Sequence, residues 1–115
     1  MSWLPQTCIV AGYRLPREAG AHIYELIEDD YDAFGCYEDF IVDSDSIRDT
    51  GDIFFGKTIL ELDDNCEPMR FDDILFTQKD YDEVSKGFND LLLPKWCVEH
   101  NYSTRFDKWI MVRWI

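Results

Sequence analysis

The amino-acid sequence predicts a single α+β domain over residues 1–115, with the ferredoxin-like element order strand, helix, strand, strand, helix, strand. Two segments have apolar residues at the spacing of amphipathic helices, and four shorter segments are rich in apolar, aromatic and β-branched residues. With 46% hydrophobic residues in a chain of 115, the protein has enough apolar material for one core. We therefore expect two helices on one face of a four-stranded antiparallel sheet.

The first predicted strand and helix lie in the N-terminal third of the chain. Residues 7–14, TCIVAGYR, are short and largely apolar, and the Leu-Pro pair that follows them disfavours helix at that point. Residues 19–34 place apolar side chains at helical spacing with acidic side chains between them, and Gly35 supplies a stop signal. The sequence therefore predicts a helix with an acidic outer face.

Three further strands are predicted from stretches of apolar, aromatic and β-branched residues. Residues 37–44 and 53–62 flank an acidic loop rich in turn-forming residues, which favours an antiparallel pair. Residues 108–115, KWIMVRWI, are apolar on both alternating faces, as expected of a central or covered strand. These three segments complete the predicted sheet.

The second helix is predicted over residues 78–92. Thr77 is a favourable N-cap, apolar side chains recur at helical spacing, and Pro94 is the predicted end of the segment. Gly87 weakens a helix by about 1 kcal/mol relative to alanine. We therefore expect packing against the sheet to stabilise this helix.

The charge balance excludes several classes of function. The chain has 24 Asp and Glu against 11 Lys and Arg, which gives a net charge of −13. Such a protein repels nucleic acids and anionic membranes and attracts basic protein surfaces. The absence of an apolar run of membrane-spanning length and of a signal-peptide pattern predicts a cytoplasmic protein.

The four cysteines, Cys8, Cys36, Cys66 and Cys97, are predicted to be free and buried. They are about thirty residues apart and form no Cys-x-x-Cys pair. Free cysteine packs like a small apolar side chain. We therefore expect no disulfide framework and no reactive thiol.

No metal, cofactor or catalytic motif emerges from the sequence. An EF-hand loop that starts at Asp43 would need glycine at its sixth position, where the chain has Arg48. Cys97 and His100 are neighbours, but two candidate ligands do not make a zinc site. Glycine-rich phosphate loops are absent as well. The sequence therefore predicts a protein that is not an enzyme and holds no metal or cofactor.

Direct binding of nucleic acid is also excluded on charge. The predicted fold is that of RNA-recognition domains, and Phe54, Phe55 and Trp109 stand on its predicted strands. Residues 25–52, however, contain eleven carboxylates against Arg48 alone. A surface that binds a polyanion needs many lysines and arginines.

The uneven distribution of acid is the best functional indication in the sequence. Residues 25–52 have a net charge of −10, whereas residues 95–115 have a net charge of +2. Tyr24, Tyr31 and Tyr37 are interspersed among the acids. The predicted partner-binding residues are Glu25, Glu28, Asp29, Asp32, Asp43, Asp45 and Asp49.

These residues predict a non-enzymatic module that occupies the basic surface of a nucleic-acid-binding protein. The most specific version of this hypothesis is an inhibitor that imitates nucleic acid. Small acidic, aromatic-rich chains occur among virus-encoded anti-CRISPR proteins and other inhibitors of host nucleases, which is an analogy of composition alone. The alternative is a regulatory or accessory domain that binds a small molecule or forms a homodimer through the sheet face opposite the helices. A small enzyme is the third interpretation. A further one gives the acid no role beyond solubility.

Overall fold

The computed structural model describes residues 5–43, 52–62 and 67–114, and its elements are as follows. In chain order they are β1 Pro5–Leu15, α1 Arg17–Asp29, α2 Tyr31–Phe34, a 3-10 helix Gly35–Phe40, β2 Ile41–Asp43, β3 Ile53–Leu62, a 3-10 helix Phe71–Asp73, α3 Gln78–Asp90, α4 Leu93–Glu99 and β4 Phe106–Trp114. The predicted α+β class with a four-stranded antiparallel sheet is confirmed.

The sheet has the strand order β2-β3-β1-β4, and each neighbouring pair is antiparallel. β1 lies between β3 and β4, and its Gly12 faces Gly56 of β3. A Cβ atom on Gly12 would lie 2.2 Å from the carbonyl oxygen of Phe55. This close approach of the two central strands therefore requires glycine.

The helices α1, α3 and α4 pack against one face of the sheet. Leu15 of β1 and Phe55 of β3 are fully buried there, and Tyr13 stacks on Phe88 of α3 with ring centroids 3.9 Å apart. Burial of side chains of this size stabilises the fold by about 1.5–3 kcal/mol each. The helical residues in this cluster are Ala19, Ile23, Ile27, Val84, Phe88, Leu93, Trp96 and Cys97.

The opposite face of the sheet has a smaller buried cluster. Cys8 and Val10 of β1 are fully buried there, and Phe54 and Met111 are nearly so. Trp109 of β4 packs against this cluster, and its indole Nε1–H donates a hydrogen bond to the carbonyl of Gly12 at 2.9 Å. Both faces of the central strand β1 are therefore covered.

The single helix predicted over residues 19–34 is wrong, because the chain breaks at Asp30. This residue has φ −147° and ψ 78°, and its carboxylate accepts a hydrogen bond from the backbone N–H of Ala33. Aspartate at an N-cap satisfies a backbone donor that a continuous helix would use internally. α1 therefore ends at Asp29, and α2 begins at Tyr31.

The strand predicted over residues 37–44 is wrong in its first part. Gly35–Phe40 forms a 3-10 helix, and β2 has only the three residues Ile41–Asp43. The turn directs Tyr37 into the core, where only 7% of it is exposed. A Cβ on Gly87 would lie 2.8 Å from the Tyr37 ring, so glycine at this point of α3 lets the ring pack closely.

The prediction that Pro94 ends the second helical segment is wrong as well, because α3 ends at Asp90 and Pro94 lies in the first turn of a further helix. Leu92 adopts a left-handed conformation with φ 58°, and α4 follows with proline in its first turn. Proline there loses no helical hydrogen bond. β1, β3 and β4 differ from their predicted bounds by two residues at most within the described part of the chain.

Candidate functional site

Exposed carboxylates cluster at the end of α1 and on the two short helices that follow it. We call this cluster the acidic surface, and it consists of Glu25, Glu28, Asp29, Asp32, Glu38 and Asp39. The first four of these are predicted binding residues, and the structure places them on adjacent turns. Asp30 lies among them but is not included, because its side chain caps α2.

The acidic surface has no basic counterpart in the part of the chain that the structure describes, since no lysine or arginine there forms an ion pair with it. Glu28 and Asp29 occupy the last turn of α1, which contains no basic residue. Negative charge at a helix C-terminus opposes the helix dipole, and Glu25 repels Asp29 one turn away. These carboxylates therefore oppose the stability of α1.

The three remaining predicted binding residues are not seen on this surface. Asp43 ends β2, where its backbone pairs with that of Ile53 in β3. Asp45 and Asp49 lie outside the described residues. Of the seven predicted binding residues, the structure therefore places four on the acidic surface, namely Glu25, Glu28, Asp29 and Asp32.

The tyrosines that the sequence places among the acids divide into two groups. Tyr24 and Tyr31 are 44% and 64% exposed. Tyr37 is buried, so its predicted place on the exposed acidic face is wrong. Two of the three tyrosines can therefore contact a partner.

The carboxylates of α3 contrast with the acidic surface because they bind within the chain. Asp80 and Thr77 form a capping box, in which each side chain accepts a hydrogen bond from the other residue's backbone N–H. Lys57 of β3 contacts Glu83 and lies 3.6 Å from Asp80. The backbone hydrogen bond from Thr77 lowers the pKa of Asp80, and the hydrogen bond from Lys57 lowers the pKa of Glu83.

The last carboxylate of α3 joins the helix to the buried tyrosine. The Tyr37 hydroxyl donates to Asp90 at 2.5 Å, and Lys86 donates to Asp90 at 2.9 Å and to the Tyr37 hydroxyl at 3.1 Å. The hydrogen bond from Tyr37 lowers the pKa of Asp90, and burial raises the pKa of Tyr37. This network fixes the 3-10 helix against α3.

One of the cysteines predicted to be buried is exposed in the structure. Cys8, Cys36 and Cys97 form no disulfide bond, and Cys66 lies outside the described residues. Cys8 and Cys97 are buried, and burial raises the pKa of the Cys97 thiol. Cys36 is exposed, so the prediction that it is buried is wrong. Its position in a 3-10 helix that turns Tyr37 inward explains the exposure.

The two histidines bind backbone oxygens. His100 stacks on Trp96 at 4.0 Å, and its Nδ1 lies 2.8 Å from the Trp96 carbonyl oxygen. His22 Nε2 lies 3.0 Å from the carbonyl oxygen of Leu91. Within residues 5–43, 52–62 and 67–114, no three His, Cys, Asp or Glu side chains converge as metal ligands would.

A cleft of about 600 Å³ opens where β1 ends and β4 begins. Its lining residues are Arg14, Asp52, Tyr102, Ser103, Thr104, Arg105 and Trp109. Arg14 Nε lies 2.5 Å from an Asp52 carboxylate oxygen, and Arg105 lies 3.4 Å from Asp107. The strand alternation places Arg14 and Trp109 on the sheet face opposite the helices.

The loop that forms one wall of the cleft is fixed at both ends. Asn101 has φ 54°, and the N–H of Tyr102 donates to the carbonyl of Cys97 at 2.9 Å, which is a Schellman end of α4. The Thr104 hydroxyl donates to the carbonyl of Arg14 at 2.7 Å. These contacts hold the loop against the end of β1.

Sequence reasoning missed this cleft because its residues come from three distant parts of the chain. The signal that could have indicated it is the net charge of +2 in residues 95–115 of a protein with net charge −13. Burial raises the pKa of Tyr102, and the charge of Asp52 raises it further. The phenol is therefore neutral and able to donate a hydrogen bond.

None of the helices in the described residues has the length and apolar composition needed to cross a membrane. Comparison of the chain with protein-family models, with curated proteins and with solved structures finds no match. The residues of this chain and their geometry are therefore the only indications of its function.

Proposed function

We propose that the protein is a non-enzymatic binding module whose acidic surface docks onto the basic surface of a nucleic-acid-binding protein. The observation that supports this most is the placement of Glu28 and Asp29 at the C-terminal end of α1. There they oppose the helix dipole and form no ion pair within the described residues. The folded chain does not need these charges, whereas a basic partner would neutralise them.

A role in solubility alone explains the acidic surface less well. Solubility needs net charge, and charge at any exposed position supplies it equally. The residues here are instead concentrated on adjacent turns beside two exposed aromatic rings, Tyr24 and Tyr31. Tyrosine is common at the centres of protein interfaces, where it combines apolar area with a hydroxyl group.

The experiment compares two triple variants with the same change of charge. One is Glu28→Lys, Asp29→Lys and Asp32→Lys on the acidic surface, and the control is Glu67→Lys, Asp72→Lys and Asp73→Lys. Each replaces one Glu and two Asp at exposed positions. Both raise the net charge by 6, so long-range attraction to a basic partner falls comparably.

Each immobilised protein is used to capture basic proteins from a cell lysate at low salt, and these are identified by mass spectrometry. We expect the triple variant of the acidic surface to reduce capture of the most abundant captured basic protein at least about tenfold, because several contacts of up to 1 kcal/mol are lost. The control triple should reduce it far less. Competition by duplex DNA should release the captured protein.

Two results would contradict the proposed mechanism. One is an equal loss of capture in both triples, because local contact would then play no part. The other is capture that does not weaken between about 50 and 300 mM salt, where the Debye length falls below 10 Å.

We propose further that the topology is ferredoxin-like. Taken from the β4 edge, the strand order is β4-β1-β3-β2, in which α1 connects β1 to β2 and the α3–α4 segment connects β3 to β4. Each connected pair is then separated by one antiparallel strand, as in two interlocked split βαβ units. The short β2 and the additional helices α2 and α4 are departures from that pattern.

The second candidate function is homodimerisation, which the exposed edge of the sheet favours. β4 is an edge strand of nine residues, and its Ile110 and Val112 are 61% and 43% exposed. Unprotected apolar edge strands pair readily with another strand. Sedimentation equilibrium of the wild type tests this proposal, which is wrong if the mass is that of a monomer at all concentrations.

A further inference from the structure

The cleft where β1 ends and β4 begins is lined by residues that can bind an anion, although the protein as a whole is strongly acidic. Two of its seven lining residues are arginines, and one is an aspartate. In the whole chain, by contrast, acidic residues outnumber basic ones by 24 to 11. Each arginine is paired with one carboxylate, Asp52 or Asp107, so an anionic group is repelled less here than by most of the remaining surface.

The arginines are available to a ligand. Arg14 contacts Asp52 through Nε, and 52% of its side chain is exposed. Arg105 is 84% exposed beside Asp107. A guanidinium group presents parallel N–H donors that match a phosphate or carboxylate in two-point geometry.

The walls of the cleft add a second kind of contact. Trp109 and Tyr102 are half-buried aromatic residues, and the hydrogen bond from Trp109 to Gly12 fixes the indole in place. Flat aromatic rings such as nucleobases stack on side chains of this kind. Ser103 and Thr104 line the same cleft, where the Ser103 hydroxyl can donate to a sugar and the Thr104 hydroxyl, which donates to the Arg14 carbonyl, can accept from one.

We propose that this cleft binds a small phosphorylated ligand with a flat aromatic ring, of the nucleoside monophosphate class. The phosphate lies between Arg14 and Arg105, and the ring lies against Trp109. A volume of about 600 Å³ is within the range of small-molecule sites and exceeds what a phosphate alone would fill. The site is independent of the acidic surface, since its residues lie on other elements.

The test follows the indole N–H resonance of Trp109 by NMR in the full chain, assigned with Trp109→Phe. AMP should shift this resonance saturably, and adenosine or inorganic phosphate should bind at least about tenfold more weakly, because each supplies one of the two contacts. Arg105→Gln should weaken AMP binding about tenfold.

The matched control is Arg70→Gln. Arg70 is 79% exposed and lies near Asp72, as Arg105 lies near Asp107, so both variants remove one guanidinium from a similar exposed pair. AMP binding should be unchanged in this control. The proposal is overturned if millimolar AMP causes no saturable shift, if both variants weaken binding equally, or if adenosine or phosphate binds as well as AMP.

Discussion

The carboxylates of α3 stabilise the fold, whereas those at the end of α1 oppose it, although the two groups are chemically the same. In α3, Asp80, Glu83 and Asp90 each accept hydrogen bonds from within the chain. At the end of α1, Glu28 and Asp29 have no ion-pair partner among the described residues and lie at the wrong end of the helix dipole. Net charge alone cannot distinguish these two groups.

The difference shows where to look for function in an acidic protein. Carboxylates that cap a helix or bind a lysine are explained by folding, and their loss should lower stability. Carboxylates that oppose the fold need another explanation, and their neutralisation should raise stability. The sign of the change in stability therefore separates structural acid from acid that is available to a partner.

The largest effect is expected at the capping box of α3. Asp80→Ala removes the hydrogen bond to the Thr77 N–H and the contact with Lys57, and it should lower the free energy of unfolding by about 2 kcal/mol. Urea denaturation followed by circular dichroism measures this change. Asp82→Ala is the control, because Asp82 bonds only Gln78 on the surface of the same helix. An equal effect of the two variants would show that the capping box is not the cause.

A smaller effect is expected where Tyr37 bonds Asp90. Tyr37→Phe keeps the ring and removes the hydroxyl, and it should lower the free energy of unfolding by about 1 kcal/mol at neutral pH. The hydrogen bond from Tyr37 is the main cause of the lowered pKa of Asp90.

The same variant makes a prediction about pH. A carboxylate with a lowered pKa stabilises the fold above its unfolded pKa of about 4, and this stability is lost as the pH falls through the folded pKa. Below pH 4 the wild type should therefore lose stability more steeply than Tyr37→Phe. Urea denaturation at pH values from neutral to about 3 measures both slopes. Parallel curves would contradict the assigned role of Asp90.

The elements that the sequence predicts well are those with strong local periodicity. β3 has the predicted bounds, and α3 begins at the predicted cap Thr77. The errors fall where one side chain overrides the local pattern. Asp30 caps a new helix within an apparently continuous one, and Tyr37 turns inward to bond Asp90, 53 residues later. Such contacts depend on the packed sheet, and they cannot be predicted from the residues that are near in sequence.

Of the two candidate sites, only the acidic surface is local in sequence. Glu25, Glu28 and Asp29 could be recognised because helical spacing brings near neighbours to one side, and Asp32 follows three residues later on α2. The cleft could not, because the register of β1 with β4 determines that Arg14 and Trp109 share a face. The sequence indicates the cleft only through the local excess of basic residues near the C-terminus.

The smallest effect, and the one with the opposite sign, is expected at the end of α1. The double variant Glu28→Gln, Asp29→Asn removes two negative charges from the last turn and relieves their repulsion with Glu25. It should raise the free energy of unfolding by about 0.5 kcal/mol at low salt. Both substitutions keep the size of the side chain, so packing contributes little to the change.

Salt distinguishes this electrostatic gain from any other cause. The increase should disappear in about 1 M NaCl, where the Debye length is about 3 Å and exposed charges no longer interact across a helical turn. Urea denaturation measures the free energy of unfolding of the wild type and of the double variant at both salt concentrations. If the double variant is less stable than the wild type at low salt, Glu28 and Asp29 support the fold as the α3 carboxylates do. The acidic surface would then lose the observation that marks it as a docking site, even though its net charge is unchanged.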